Sequence, residues 1–260
     1  MTVRTSPLRV TILGSGTCVP SLSRSSCAVL LETGPARIVL DCGPGTMRRL
    51  LEAGVRVCDV THLFFSHFHP DHTGEMASFL FANRYGFSPG RNQPLVLAGG
   101  KGWAAFYAAF RSVYGQWIEL EDDLLQIQEF DTDDQDSCDF GSFAVTTRPV
   151  THRPESIAFR LESGNRSVVY SGDTDYDDNL VRLAREADLF ICEAAFPDHL
   201  KQAGHLTPAL AGKMAAAAAA RKLVLTHLYP ACLEVDPRQQ AAASFSGPVL
   251  VAQDLMSFDL

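Results

Sequence analysis

The chain has 260 residues, of which 46% are hydrophobic, so it can bury a substantial core as one large domain or two small ones. It contains no apolar run long enough to cross a bilayer, and residues 1–10 lack the apolar block of a secretory signal, so we expect a cytoplasmic protein with no membrane partner. A formal charge of −8 and a content of only four lysines argue against a broad cationic surface for a nucleic-acid backbone.

Short strands and helices are predicted to alternate along the first half of the chain. The predicted strands are 8–13, 28–32, 37–41, 62–65, 94–98 and 124–127. The predicted helices are 44–53, 73–83 and 103–114.

The second half is predicted to continue in the same way. Its predicted strands are 143–147, 157–161, 167–170, 189–192, 223–226 and 249–252, and its predicted helices are 178–187, 207–220 and 237–243. Thr207-Pro208 is a typical helix start, because the hydroxyl caps the helix and proline fits its first turn. Since no Pro/Ser/Gly-rich linker separates the halves, we expect one domain, residues 1–260, of the α/β (α+β) class with two stacked sheets flanked by helices.

The seven cysteines are scattered along the chain, and their number is odd. None forms the C-x-x-C spacing of a zinc knuckle or a redox pair. We interpret most of them as small buried apolar residues in a reducing compartment.

The motif His67-x-His69-x-Asp71-His72 follows the apolar run 62–65 and carries the strongest chemical signal. Residues 67 and 69 of an extended segment point to the same side, and a helix beginning near residue 71 turns Asp71 and His72 back towards the same cavity. Imidazole and carboxylate groups suit divalent metals, and four such close donors exceed what one tetrahedral ion with an open position requires. The spacing predicts two ions. A solvated polar loop, or histidines that cap the helix, is the disfavoured alternative.

The string from Ser66 to Glu75 resembles the signature of the metallo-β-lactamase fold hydrolases. Together with residues 13–17, 40–45, 171–174 and 225–227, it is most similar to the ribonuclease Z branch. The resemblance implies a four-layer αββα sandwich with the metals at one edge between the sheets. It also implies that His67, His69 and His152 hold the first ion, that Asp71, His72 and His227 hold the second, and that Asp173 bridges the two.

The later members of this ligand set each follow a predicted strand, where side chains from distant parts of a sheet can meet. A lone histidine at a strand end, or a lone Gly-Asp-Thr turn, is more often structural, but as one set with residues 67–72 we favour metal ligands. Asp41 matches a family aspartate behind the ligands, which would accept a proton from a ligand imidazole and fix its tautomer. The alternative for Asp41 is a simple turn residue.

Glu193-Ala194-Ala195 and His205-Leu206-Thr207 resemble two ribonuclease Z motifs in which a glutamate orients a histidine close to the scissile phosphate. His205 just before a helix N-terminus is well placed to contact an anion. We expect His205 to be the general acid or transition-state stabiliser, with Glu193 as its orienting partner and Asp71 as a further catalytic residue. The family normally has serine where this chain has Leu206, so that hydroxyl contact is expected to be lost. His62 and His199 have no motif support, and we interpret both as structural.

The short interval between positions 152 and 173 and the negative net charge limit the size of the expected substrate. In ribonuclease Z, a long basic arm between the third ligand histidine and the bridging aspartate grips transfer RNA, whereas here positions 152 and 173 are 21 residues apart and a plain hairpin is predicted between them. With the charge of −8, this favours a phosphodiesterase for a small-molecule or short phosphodiester substrate over a transfer-RNA 3′-end endonuclease or another large nucleic-acid partner.

Two other functions stay open. A lactonase or thioesterase would use the same metals with an apolar pocket, which residues 79–81 and 103–114 could line, although these residues are better interpreted as helix core. A non-catalytic metal-binding protein is disfavoured because the ligand set is complete. Zinc is the default metal, while manganese, iron, cobalt and nickel also suit these ligands. The resemblance further implies a homodimer.

Overall fold

Two facing β-sheets form the centre of the protein. The computed structural model describes residues 7–87, 90–121 and 123–260. Most of residues 1–10, which were predicted not to form a secretory signal, therefore lie outside the described residues. In the described part of the chain, every helix is too short or too polar to span a membrane.

The first sheet contains seven strands within the described residues. Across the sheet they are β14 (Ser257–Asp259), β1 (Arg9–Gly14), β2 (Ala28–Thr33), β3 (Ala36–Leu40), β4 (His62–Phe65), β5 (Leu95–Gly100) and β6 (Leu125–Phe130). The pairs from β14 to β3 are antiparallel, and the pairs from β3 to β6 are parallel. The central parallel strand β5 is buried along its whole length, as expected for a strand covered on both faces.

The second sheet also contains seven strands among the described residues. Across the sheet they are β13 (Val249–Val251), β12 (Leu223–Thr226), β11 (Leu189–Glu193), β10 (Arg166–Tyr170), β9 (Ile157–Ser163), β8 (Ala144–Pro149) and β7 (Asp136–Asp139). The pairs from β7 to β10 are antiparallel, and those from β10 to β13 are parallel. Strands β8, β10, β11 and β12 therefore end at the same edge of the sheet.

Helices cover the outer faces of both sheets. They are α1 (Thr46–Glu52), α2 (Pro70–Thr73), α3 (Met76–Tyr85), α4 (Trp103–Tyr114), α5 (Asp178–Leu183), α6 (Pro208–Ala217) and α7 (Pro237–Ala242). One apolar core lies between the sheets, a second lies between the first sheet and α1, α3 and α4, and a third lies between the second sheet and α5, α6 and α7. This arrangement confirms the predicted αββα sandwich.

Apart from shifted element ends and short 3-10 helices, the predicted elements differ from the described structure in three places. The helix expected over 73–83 is two helices, α2 and α3, because Glu75 turns the chain between them while its amide donates to Cys42 O and its carboxylate accepts from Met47 N. Strands β7 and β14 were not predicted. β7 is a polar edge strand without a buried apolar face, so its sequence carries no strand pattern, and β14 pairs with β1 from the other end of the chain, a partner that a local pattern does not show.

The cysteines lie mostly inside the protein. Each of the seven is within the described residues and is a free thiol, and Cys27, Cys42, Cys192 and Cys232 are buried. This placement agrees with the interpretation of most of them as small buried apolar residues. The cytoplasmic location itself stays a prediction.

Both halves of the chain contribute side chains to the core between the sheets, so we propose that residues 1–260 fold as one unit. Phe64 on β4 is fully buried there and packs against Phe130, Phe140 and Phe159.

Replacing Phe64 with alanine is expected to lower the free energy of unfolding by about 3–5 kcal/mol, because the cavity left behind cannot fully collapse. Urea unfolding followed by fluorescence and by circular dichroism should give one coincident transition for both the wild type and Phe64→Ala. Val113→Ala, at a residue that is 77% exposed, is the control and should change stability by less than about 0.5 kcal/mol. Two separate transitions in the wild type would contradict the single folding unit.

Candidate metal centre

The predicted site residues lie at one edge between the sheets, just beyond the ends of their strands. His67 follows β4, Asp173 follows β10, His227 follows β12, and His152 lies three residues beyond β8. His69 precedes α2, whose first residue is Pro70, so the chain turns there and brings Asp71 and His72 back to the same edge.

The seven predicted ligands form two groups of donor atoms. One group consists of His67, His69, His152 and Asp173, and the other consists of Asp71, His72 and His227. Within each group, one donor atom from each residue lies within 4.8 Å of all the others. The grouping is the one that the family resemblance implies, while the role of these residues as ligands stays a prediction.

Asp173 presents one carboxylate oxygen to each group. Its Oδ1 lies 3.2 Å from His72 Nε2 and 3.3 Å from His227 Nε2. Its Oδ2 lies 3.7 Å from His67 Nε2 and 4.0 Å from His152 Nε2. Each oxygen of the Asp173 carboxylate therefore faces a different donor group.

Several buried nitrogen and oxygen atoms of the two donor groups have no hydrogen-bond partner among the described residues. They are His67 Nε2, His72 Nε2, His227 Nδ1, His227 Nε2 and Asp173 Oδ1. A buried polar atom without a partner costs about 1–3 kcal/mol, so a cluster of them needs compensation. Imidazole and carboxylate donors are the ligands that zinc and neighbouring divalent metals take, and the residues present therefore fit such ions.

Hydrogen bonds behind the site set which ring nitrogen of His72 and of His152 faces inwards. His72 Nδ1 lies 2.7 Å from Asp41 Oδ2, and His152 Nδ1 lies 2.8 Å from Gly204 O. Because Nδ1 is used as a donor in both rings, Nε2 keeps its lone pair for the shared cavity.

Asp41 is fully buried and accepts three further hydrogen bonds. Two come from the Ser66 amide and hydroxyl, and one comes from Tyr170 OH at 2.6 Å. Asp41 thus lies where the resemblance implies, and it connects the first sheet to β10 of the second. Sequence reasoning missed Tyr170, although this residue directly precedes the Ser171-Gly172-Asp173 motif.

Burial shifts the pKa values of the histidines in a direction that suits metal binding. It lowers the pKa of His67 well below its ordinary value and also lowers the pKa values of His69 and His152. A neutral imidazole is the form that binds a metal ion. Burial acts in the same direction on His72, but the carboxylates of Asp173 and Asp41 outweigh it and raise the pKa of His72 well above its usual range. Positive charge, whether on a proton or a cation, is therefore favoured beside Asp173.

Glu193 and His205 form the predicted pair. The buried carboxylate of Glu193 accepts from His205 Nδ1 at 3.1 Å, from Thr174 N at 2.7 Å and from Leu206 N at 3.0 Å. His205 Nδ1 lies 3.9 Å from Asp173 Oδ2, so the pair borders the donor groups. Burial lowers the pKa of His205, but the hydrogen bond and charge of Glu193 outweigh it and raise that pKa above its ordinary value.

Leu206 contributes to this pair through its backbone. Its side chain is fully buried in the core between the second sheet and its helices, while its amide donates to Glu193. The next residue, Thr207, caps α6 as predicted, with its side chain accepting from Leu210 N.

His62 and His199 lie outside the donor groups formed by the described residues. His62 begins β4, contacts the rings of Phe140 and Phe143, and has its pKa lowered to about 4 by burial. His199 is exposed in a short 3-10 turn.

A cavity of about 480 Å³ opens beside Asp71. Arg24, Arg48 and Arg49 line it together with serines and several apolar side chains, and Arg48 and Arg49 form ion pairs with Glu52 and, for Arg49, also with Asp254. Sequence reasoning did not single out these arginines, because Arg24 lies in a different segment from Arg48 and Arg49 and joins them only in the fold.

Residues 36–228 match the profile of the Beta-lactamase superfamily domain, and they make up most of the chain. The chain belongs to the β-lactamase superfamily. The metallo-β-lactamase fold and the ribonuclease Z-like relationship expected from the sequence are thereby confirmed.

Relatives of this superfamily member align with it over nearly their full length. An uncharacterized protein of Mycobacterium leprae is 33% identical over 97% of this chain and 89% of its own length. The ribonuclease Z of Mycobacterium bovis BCG (strain Pasteur) is 29% identical over 95% of this chain and 96% of its own. The crystal structure of YhfI, a metallo-β-lactamase fold protein of Bacillus subtilis, is similar with a TM-score of 0.85 and 26% identity, covering 98% of this chain and 100% of YhfI.

Replacing Asp41 with asparagine is expected to weaken metal binding about 10–100-fold, because an amide cannot accept from all four of its donors and so orients His72 less firmly. Asparagine tolerates the left-handed backbone at this position, where φ is 61°, so the substitution tests the carboxylate rather than the turn. Chelator competition measures the affinity. Asp139→Asn, at an exposed residue, is the control, and equal metal affinities in the two variants would refute the orienting role of Asp41.

Proposed function

We propose that this metallo-hydrolase is a binuclear phosphodiesterase that acts in the cytoplasm on a small-molecule or short phosphodiester substrate. The observation that carries the proposal is the carboxylate of Asp173, which faces one donor group with each oxygen. Membership of the β-lactamase superfamily, with a relative named ribonuclease Z, supports hydrolysis of a phosphodiester.

The two donor groups would hold two divalent cations, with zinc preferred and manganese, iron, cobalt and nickel as alternatives. His67, His69 and His152 would hold one ion, while Asp71, His72 and His227 would hold the other, and Asp173 would bridge them. Divalent cations in such a set lower the pKa of water towards neutrality and neutralise charge on a phosphoryl oxygen.

The chain itself would supply the proton for the leaving group. His205 borders the donor groups, and Glu193 raises its pKa, which favours the protonated ring near neutral pH. The hydrogen bond from Nδ1 to Glu193 leaves Nε2 as the nitrogen that can donate to a departing oxygen. Asp71 lies 3.5 Å from His227 Nε2 at the mouth of the cavity with the three arginines, so the substrate would enter past it.

Substrate size is argued from the interval between His152 and Asp173. This described interval contains the β9–β10 hairpin, which leaves little room for a long basic arm. Arg24, Arg48 and Arg49 line the cavity beside Asp71, but Glu52 pairs with Arg48 and Arg49 and Asp254 pairs with Arg49, so the free cationic surface is small and better suited to a short phosphodiester than to a long nucleic-acid backbone. A transfer-RNA endonuclease stays the second candidate, because the ribonuclease Z of M. bovis aligns over 95% of this chain. The homodimer also stays a prediction.

The aromatic segments that could have lined a lactonase pocket lie elsewhere. Phe79, Leu80, Trp103 and Tyr107 are buried between the helices and the first sheet, on the face away from the second sheet. Phe81 and Tyr114 are exposed, and the cavity that they line contains none of the predicted metal ligands. This placement favours their interpretation as helix core and weakens the case for a lactonase or thioesterase.

Asp173→Ala is expected to lose bound metal and to hydrolyse bis-p-nitrophenyl phosphate no faster than the chelator-treated wild type, because both donor groups lose their shared oxygen donor. Elemental analysis and initial rates measure the two effects, with Asp139→Asn as the control. Full activity of Asp173→Ala without bound metal would refute the proposal. Faster turnover of lactones or thioesters by the wild type would favour the ester-hydrolase alternative, and a metal-loaded protein inert on every panel would favour a non-catalytic role.

His205→Ala is expected to reduce kcat about 10²–10⁴-fold with the metal content unchanged. The loss should be larger for a dinucleotide, whose alkoxide leaving group needs a proton, than for bis-p-nitrophenyl phosphate, whose phenolate leaves readily. His199→Ala is the matched histidine control. Because His205 also lies within reach of Asp173 and His227, loss of metal from His205→Ala would instead identify it as a ligand.

A further inference from the structure

Asp175 ties together the three loops that carry His152, Asp173 and His205. Its Oδ2 accepts from Lys201 Nζ at 2.8 Å and from Gly204 N at 3.0 Å. Its own amide donates to Thr151 O at 2.8 Å, directly beside His152. Asp175, which lies outside the donor groups, thus belongs to the loop that carries Asp173 and contacts both the loop that carries His152 and the loop that ends at His205.

Gly204 relays this contact to the site. Its amide donates to Asp175, and its carbonyl accepts from His152 Nδ1 at 2.8 Å. Its φ is +80°, and a Cβ added here would lie 3.1 Å from His152 Nδ1, so only glycine suits this close approach. The carbonyl that sets the tautomer of His152 therefore depends on how firmly Asp175 holds the Gly204 amide.

We propose that Asp175, together with Lys201, is a positioning residue that fixes the ring of His152 and the backbone that leads into His205. The consequences for metal binding and turnover rest on the proposed function of the site, whereas the orientation of the ring does not. The Asp175 and Lys201 side chains are 26% and 30% exposed, so their ion pair is screened by solvent and adds little to global stability. Its effect is expected in the alignment of the site rather than in folding.

Three variants and one control test this proposal. Asp175→Ala removes the hydrogen bonds from Lys201 and Gly204 together with the one that Oδ1 accepts from Tyr176 N, Asp175→Asn keeps an oxygen for the Gly204 amide, and Lys201→Met removes only the ion pair. Asp188→Ala is the matched control, because Asp188 also accepts from a backbone amide, that of Ser167, and from arginine, but precedes β11 at the end opposite Glu193.

The first measurement is long-range ¹H–¹⁵N NMR of the histidine rings in the metal-free protein, with the His152 signals assigned from His152→Ala. The wild type and Asp188→Ala should show the Nδ1–H tautomer of His152, and Asp175→Ala should lose it. If Asp175→Ala retains that tautomer, the positioning role is overturned, whatever the protein hydrolyses.

The second measurement is zinc affinity by chelator competition. Asp175→Ala should bind zinc about 10–100-fold more weakly than the wild type, while Asp175→Asn and Lys201→Met lose less. The melting temperature of Asp175→Ala should fall no further than that of Asp188→Ala. Equal zinc affinities in Asp175→Ala and Asp188→Ala would overturn the proposal, and failure of the wild type to bind zinc would instead count against the proposed function.

Discussion

The carboxylate of Asp173 is the group on which the architecture of the site depends. Burial opposes its ionisation, yet the neighbouring His227 and His72 outweigh burial and hold its pKa well below its ordinary value. A buried charge is stable only where partners surround it, so histidines from both sheets must meet at this one side chain. The αββα sandwich satisfies this requirement by ending β4, β10 and β12 at a common edge.

The backbone at this edge is turned sharply to aim side chains inwards. Asp41 and His227, which directly follow β3 and β12, have positive φ angles of 61° and 53°. Such conformations are uncommon for residues other than glycine, although Asn, Asp and His adopt them more readily than most, and they persist where the surroundings favour them. At Asp41 the enforcement is visible, since its four hydrogen bonds join Ser66 and His72 of the first half to Tyr170 of the second. The packing of the two sheets and the orientation of the ligand side chains therefore depend on the same hydrogen bonds.

Behind the donor atoms, three hydrogen-bond acceptors each fix the orientation of one histidine ring. Asp41 serves His72, Gly204 serves His152, and Glu193 serves His205. Each acceptor belongs to a different segment, and the last two segments meet at the turn before α6, where Glu193 accepts from Leu206 N. This outer layer explains how a site built from strand ends and loops can hold side chains in fixed orientations.

Local patterns were enough for the parts of the protein that are formed by neighbours along the chain. The 67–72 motif after β4, the threonine cap of α6 and most strands were predictable, because their spacing and side-chain chemistry act within a few residues. The resemblance extended this to Asp173, His152 and His227. Tertiary structure alone decided that Leu206 points into the core, that β14 pairs with β1, and that Tyr170 and Gly204 contact Asp41 and His152. The reason is that a hydrogen bond between distant segments depends on the packing of both sheets, which no local pattern encodes.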